Sequence, residues 1–343
     1  MSDPQPAARQ FGLDGSPGRI TPLGVGLIND TFVAEGESDG GRVILQRLNR
    51  QIFRDIPALM ENVDRVTRHL RSRGVTTLEI VRTVGGELFY QDPGSGDDWR
   101  AFKFIGGTSS FSEAASPSQA EEAAHAFGEF ARELVDLGPP PLHETIPDFH
   151  NIPKRLADLL EAIEADGRGR AASVRDEIDQ CLARADWATV IRDARAAGDL
   201  PVRVVHNDAK IENVLFDAAG ERAVCVVDLD TVMPGSVLHD FGDLVRSTVA
   251  TAGEEERELD RVSVCGATFE ALLRGYRCAW GQLLTPAEVD LLPDAGKLIT
   301  YEQALRFLSD YLQGDVYYRI SYPDQNLQRA RNQLHLARLL DQL

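Results

Sequence analysis

The sequence predicts an α+β protein in two lobes: a small antiparallel sheet with one helix, followed by a larger, mostly helical part. Three observations predict it. Short β-type runs separated by Gly-rich turns crowd residues 1–105, apolar residues at helical spacing dominate from Pro117 onward, and a single β interruption, 202–227, is set inside the helical part. A chain of 343 residues is long enough for two such units. We divide it into lobes 1–105 and 106–343, and the cleft between them is the natural place for a small ligand.

Each element follows from a local pattern. After a polar, Pro-containing leader come strand-like runs at 20–23, 31–33 and 43–48. Within 56–73 the residues Ile56, Leu59, Met60, Val63, Val66 and Leu70 recur at helical spacing, and Pro57 lies in the first turn, where its missing N–H costs nothing. Two more strands are expected at 79–82 and 99–105, with the turn-rich 92–98 between them. Helices are then expected at 119–137, 152–165, 172–197, 262–280 and 297–311. Pro139, Pro140 and Pro141 end the first of these in a stiff turn.

Composition excludes several classes. Apolar residues at 43% and charged residues at 26% are ordinary for a globular domain, so collagenous, coiled-coil and wholly disordered chains drop out. Thirty-six basic against 54 acidic residues give −18, which repels phosphate backbones and anionic bilayers; neither nucleic acid nor membrane is an expected partner. No basic segment followed by an apolar stretch opens the chain, no run is apolar enough to span a bilayer, and a cytoplasmic location is expected. Cys181, Cys225, Cys265 and Cys278 are far apart and have neither zinc-ligand nor disulfide-framework spacing. Only four lysines occur, Lys103, Lys154, Lys210 and Lys297, none before position 103.

The chemistry concentrates in V-V-H-N-D-A-K-I-E-N-V-L-F, where His206, Asp208, Lys210 and Asn213 lie on a loop between two apolar runs. Further on, A-V-C-V-V ends abruptly in Asp228-Leu229-Asp230. The turn D-A-A-G folds the intervening runs into a hairpin and brings Asn213 to Asp228. Oxygen ligands for magnesium, a carboxylate to orient a hydroxyl and a nearby cation are what phosphoryl transfer requires. In the small lobe, Gly24 and Gly26 of G-V-G-L-I-N-D-T-F-V lie before a strand, where backbone amides can approach phosphates.

The Asp-to-Asn spacing of plus five, followed by an Asp at a strand end, resembles the protein-kinase-like fold as used by small-molecule kinases, including aminoglycoside phosphotransferases and choline kinases. That resemblance implies ATP and Mg2+, with Asp208 as base, Asn213 and Asp228 as metal ligands, Lys210 at the γ-phosphate and His206 as a brace for the loop. It implies that Asp240-Phe241-Gly242, despite spelling a kinase magnesium motif, is structural: an Asp in that place opens a helix under the catalytic loop and ties its backbone. A kinase also needs a strand lysine paired with a helix glutamate. Here V-I-L-Q-R-L-N offers Gln46 or Arg47 in its place, with Glu61 as the available partner. W-R-A-F-K-F-I resembles the strand entering the hinge, so backbone groups near Phe102 to Phe104 are expected to meet adenine, with Lys103 facing solvent.

Five pieces, G-L-I-N-D-T-F, V-I-L-Q-R-L-N, H-N-D-A-K-I-E-N-V-L-F, V-D-L-D-T-V-M-P-G-S and R-F-L-S-D-Y-L-Q-G-D-V-Y-Y, resemble N-acetylhexosamine 1-kinases of carbohydrate metabolism. By that resemblance the anomeric hydroxyl is phosphorylated, and Arg306 and Tyr317 join Asp208 in binding the sugar; otherwise Arg306 pairs with Asp310 and Tyr317 is core. Two alternatives remain open: a kinase for an aminoglycoside, choline or amino acid, and a nucleotide-binding pseudokinase, suggested by the missing strand lysine. The preferred hexosamine and the oligomeric state are not legible in the sequence.

Overall fold

The strand-like runs of the small lobe pair as one antiparallel sheet in the computed structural model, which describes residues 3–12, 19–23, 28–36 and 41–343. The leader forms a short helix, α1 (Gln5–Gln10), ahead of β1 (Ile20–Pro22), β2 (Asp30–Glu35), β3 (Arg42–Arg47), α2 (Ile56–Ser72), β4 (Ile80–Val81), β5 (Tyr90–Gln91) and β6 (Asp98–Lys103). The sheet order is β1-β2-β3-β6-β4, with β5 also on β6. Register sets its two faces, because side chains alternate along each strand. Phe32, Ala34, Val43, Leu45, Trp99 and Ala101 fall on one face and pack under Ala7, Ala8 and Phe11 around α1. Gln46 pairs across from Arg100 on the other face, which also carries Phe102 and looks toward α2 and the second lobe.

The second lobe begins with β7 (Thr108–Ser109) and α3 (Pro117–Arg132), followed by α4 (Ile152–Ala165), α5 (Arg175–Leu182), α6 (Val190–Ala196) and β8 (Arg203–Val205). Then come β9 (Val214–Asp217), β10 (Ala223–Val226), β11 (Met233–Gly235), α7 (Val237–Thr248), α8 (Gly266–Trp280), α9 (Pro286–Gln313) and α10 (Gln325–Leu340). The β9/β10 hairpin is extended by β7, and β8 pairs with β11. One apolar core runs through α2, α3, α7, α8, α9 and α10. No helix among the described residues is long and apolar enough to cross a membrane. All four cysteines are free thiols.

Several expectations are corrected. The helix expected over 172–197 is broken into α5, α6 and two 3-10 turns, which lets Trp187 pack edge-on to Tyr301 with ring centroids 5.8 Å apart. Tertiary packing overrides helix propensity there. α9 starts at Pro286, before the expected 297, because Thr285 and Glu288 form a capping box; Pro293 is tolerated inside the helix. Residues 237–248 and 325–340, for which no helix was expected from periodicity, are α7 and α10. Both bury polar residues, Asp240 and Asp243 in one and Asn326, Asn332 and Gln333 in the other, so their inward faces do not read as apolar stripes.

The string Asp240-Phe241-Gly242 is a packing motif. Phe241 is in the core, and a Cβ added at Gly242 would lie 2.5 Å from the Ala295 carbonyl of α9, so only glycine permits this crossing of α7 and α9. Gly242→Ala is expected to lower the unfolding free energy by about 1–3 kcal/mol through overpacking, measured by urea denaturation.

Candidate active site

A buried carboxylate shapes the loop after β8. Asp240, in the first turn of α7, accepts the His206 backbone N–H at 2.9 Å and the Asn207 backbone N–H at 2.6 Å. Asn207 has a left-handed backbone, φ 62°, which asparagine tolerates better than most residues. Its side-chain amide donates to the Thr231 carbonyl at 3.0 Å, and Gly235 packs so closely that a Cβ there would lie 2.7 Å from Asn207 Oδ1. His206 is buried against Phe127 and Phe130 of α3. Its Nδ1 accepts the Asp208 N–H at 3.3 Å and its Nε2 donates to the Val227 carbonyl at 2.9 Å, which assigns the ring proton to Nε2. Both nitrogens are used inside the fold, so His206 braces the loop against β10.

Asp208, Lys210, Asn213 and Asp228 come together. The Val227 N–H donates to the Asn213 carbonyl at 2.9 Å as the β9/β10 hairpin closes, so Asn213 and Asp228 lie at the same end of it. Lys210 Nζ is 2.7 Å from Asp208 Oδ1. Burial works against charge on Asp208, but the ammonium overrides it and holds the carboxyl below its ordinary value. Asn213 Nδ2 donates to the Asp208 carbonyl at 2.9 Å, which leaves Oδ1 as its oxygen for a cation. Asp228, at φ 59°, opens into the cleft although protein surrounds it. Burial first, then the Asp230 and Asp208 carboxylates, push its carboxyl up to about 6. Concentrated negative charge with hard oxygen donors fits Mg2+, which commonly takes one or two protein ligands plus phosphates and water. Among the described residues no cluster of three His, Cys, Asp or Glu side chains forms a larger cage.

The nucleotide side departs from expectation. Gly24 and Gly26 lie outside the described residues. Gln46 and Arg47 point to opposite faces: Arg47 pairs with Asp30 and Asp97 on the outer side of the sheet, whereas Gln46 accepts from Arg100 Nε at 2.9 Å on the inner side. Arg47 is therefore no stand-in for a strand lysine. Glu61 is half exposed and bonded to His143 at 3.1 Å. Phe102 is core, and Phe104 lies 3.9 Å under the Arg42 guanidinium. The N–H groups of Lys103 and Phe104 are taken by the carbonyls of Glu79 and Arg42, so these two donors are engaged in the sheet instead of facing a base. Lys103 itself is exposed and paired with Glu79, as expected.

On the acceptor side, Arg306 does not pair with Asp310. It donates to Gln303 Oε1 at 3.2 Å amid the rings of Phe149, Tyr317 and Tyr318. Asp310 instead accepts the N–H groups of Val316, Tyr317 and Tyr318 at 2.9, 2.7 and 2.9 Å, which shapes the turn after α9. Tyr317 is 62% exposed, not core.

Sequence reasoning missed three further groups. Arg246 on α7 pairs with Asp243 at 2.7 Å and Glu254 at 3.2 Å, and its charge helps hold Asp208 ionised. His150 Nδ1 meets Glu302 Oε2 at 2.8 Å while Nε2 meets the Asn207 carbonyl at 2.9 Å. Arg100 reaches Asp230 across the lobes. The available signal for Arg100 was a charged residue at a position where strand alternation demands an inward side chain; His150 carried none, since its partners lie far away in sequence.

With this geometry in place, the chain matches the model of the phosphotransferase enzyme family, APH, over residues 19–283. The chain belongs to that family. Its fold is that of an aminoglycoside phosphotransferase from Alicyclobacillus acidocaldarius, with TM-score 0.63, 16% identity, and coverage of 100% of this chain and 98% of that one. A choline kinase from Cryptosporidium parvum aligns with TM-score 0.56 and 14% identity over 94% and 90% of the two chains. The amicoumacin kinase hAmiN, solved with AMP-PNP, Ca2+ and Ami, aligns with TM-score 0.60 and 18% identity over 93% and 88%. The protein is thus a phosphotransferase with a kinase-like fold.

His150 gives the site a pH signature. Both its partners are acceptors, so both ring nitrogens must carry protons. Burial opposes that charge, but Glu302 overrides it and the imidazole is held above its ordinary value of 6.5. A raised basic group contributes its full stabilisation below the unfolded value and loses it as pH rises through the folded one. His150→Gln is therefore expected to destabilise more at about pH 6 than at about pH 9, measured by denaturant titration of both proteins.

Proposed function

We propose that the protein is an ATP- and Mg2+-dependent kinase that phosphorylates the anomeric hydroxyl of an N-acetylhexosamine. The observation that carries this reading is the ionised Asp208 beside Lys210, Asn213 and Asp228, on a loop that His150 ties through the Asn207 carbonyl to Glu302 of α9, the helix on which Arg306 stands among three aromatic rings. Aromatic faces suit sugar C–H surfaces, and a guanidinium and a phenol supply donors for ring oxygens or an acetamide carbonyl.

In this reading Asp208 orients the sugar hydroxyl. Its oxygen attacks the γ-phosphorus of ATP, the bond to the ADP oxygen breaks, and the hydroxyl proton passes to Asp208. The low proton affinity of Asp208 suits a reaction in which positioning matters more than early proton removal. Lys210 and Arg246 offset the charge of Asp208 and Asp243. Asn213 Oδ1 and the Asp228 carboxylate would hold Mg2+, which neutralises phosphate charge when bound. The small lobe, 1–105, supplies the nucleotide side, with Gln46 on the inner face of its sheet. The free thiols suit a reducing cytoplasm.

A polycationic acceptor is the weaker reading, because Arg246 already neutralises Asp243 and Glu254 and Arg306 adds positive charge. Release of ADP with a panel of N-acetylhexosamines, choline, amino acids and aminoglycosides tests both. Turnover with none of them would leave a nucleotide-binding pseudokinase.

Asp208→Asn should lower kcat by at least about 100-fold with nucleotide affinity unchanged. Arg306→Ala and Tyr317→Phe should each lower kcat/KM for the sugar by about 5- to 150-fold while the KM for ATP stays at the wild-type value. Equal loss for both substrates together with a lowered Tm would assign the two residues to the fold alone.

A further inference from the structure

Arg100 is the one lysine or arginine among the described residues that is fully buried, at 1% exposure. A guanidinium in that position is costly unless every side of it is answered. It stands on β6, on the inner face of the small-lobe sheet. Its Nε is held by Gln46 Oε1 at 2.9 Å, and Gln46 is itself held by Thr31 at 3.1 Å. Its Nη1 is ion-paired with Asp230, which belongs to the second lobe.

Asp230 is gripped from several sides. Its other carboxylate oxygen accepts from Asn29 Nδ2 at 2.8 Å, and Asn29 Oδ1 in turn accepts the Asn49 N–H at 3.0 Å. Its carbonyl accepts from Thr145 at 3.2 Å. Two small-lobe side chains therefore hold a residue two positions after Asp228, on a turn that leaves a left-handed backbone conformation. A turn of that kind has few equivalent arrangements, so moving Asp230 redirects the Asp228 carboxylate.

The chain has no lysine on β3 to tie the small lobe to its nucleotide, Arg47 faces outward, and Glu61 is bonded to His143. We propose that Arg100 supplies the missing link between the lobes. Paired with Asp230, it fixes the 228–230 turn against the small lobe and so sets the metal ligand Asp228 for the metal-bound nucleotide. This rests on reading Asp228 as a metal ligand. Arg100 acts through Asp230 and is a positioning residue, not a catalytic one.

The test is ADP binding by titration calorimetry, with Mg2+ and with EDTA, alongside Tm, for the wild type, Arg100→Met, Arg100→Lys and the double variant Arg100→Met/Asp230→Leu. The double variant replaces a buried ion pair by an apolar pair, a change that commonly restores stability. The expected result is a loss of about tenfold or more in the Mg2+-dependent gain in affinity for all three variants, with the EDTA affinity within about twofold of wild type. In the double variant Tm should recover while the Mg2+-dependent gain does not. Recovery of that gain together with Tm, or an intact gain in Arg100→Met, would overturn the proposal and leave Arg100 as structural. If Arg100→Met does not fold, the double variant decides alone. Wild-type binding without Mg2+ dependence would overturn it too. Normal Mg2+-dependent binding without turnover of any acceptor would instead overturn the kinase reading and leave the positioning role standing.

Discussion

The site depends on one buried carboxylate. Asp240 receives the backbone N–H groups of His206 and Asn207, and these two bonds set the course of the loop that carries Asp208. Burial pushes its carboxyl up to about 6, which still leaves it ionised at neutral pH and able to accept both bonds. Removing the carboxylate would strand two amides in the interior, at about 1–3 kcal/mol each. Because α7 meets α9 at the Gly242 crossing, the loop that carries Asp208 and the helix bearing Arg306 are referred to a common packing contact. His150 ties them a second time, holding the Asn207 carbonyl and Glu302 with its two ring nitrogens.

A second constraint is charge. Asp208, Asp228 and Asp230 converge, and each is handled differently: Asp208 by Lys210, Asp230 by Arg100 and Asn29, Asp228 by opening into the cleft, where a cation is able to reach it. Behind them, the charge of protonated His150 joins burial in holding His239 well below its ordinary value, with the two rings 4.7 Å apart. Neighbouring imidazoles are thus shifted in opposite directions, His239 down by burial and the charge of His150, His150 up by Glu302 against its own burial.

Much of this was legible before the fold. The helix 56–73 and the strands around it were readable because their apolar residues repeat with the period of the element that buries them. The quartet Asp208, Lys210, Asn213 and Asp228 was readable because a hairpin of predictable length joins its two halves. Arg100 was not, because the expected place for a small-lobe cation is β3, whereas the cation comes from β6, its register partner. The break within 172–197 was not legible, since Trp187 packs on Tyr301 only when distant elements meet, whereas the start of α9 did carry a local signal, the Thr285 and Glu288 capping box, that apolar periodicity alone passes over.

The sequence by itself determined the two-lobed α+β architecture, which rests on local periodicity, and the clustering of Asp208, Lys210, Asn213 and Asp228, which rests on short spacing; that Asp240 opens a helix and ties the loop's backbone was implied by the family resemblance. Only the tertiary structure decided which face Gln46 and Arg47 take, that Arg306 stands among aromatic rings instead of pairing with Asp310, and that Arg100 and His150 matter at all. Each of these is a contact between residues far apart in the chain. Charge and hydrogen-bond partners across such distances are chosen by packing, and no local pattern encodes them.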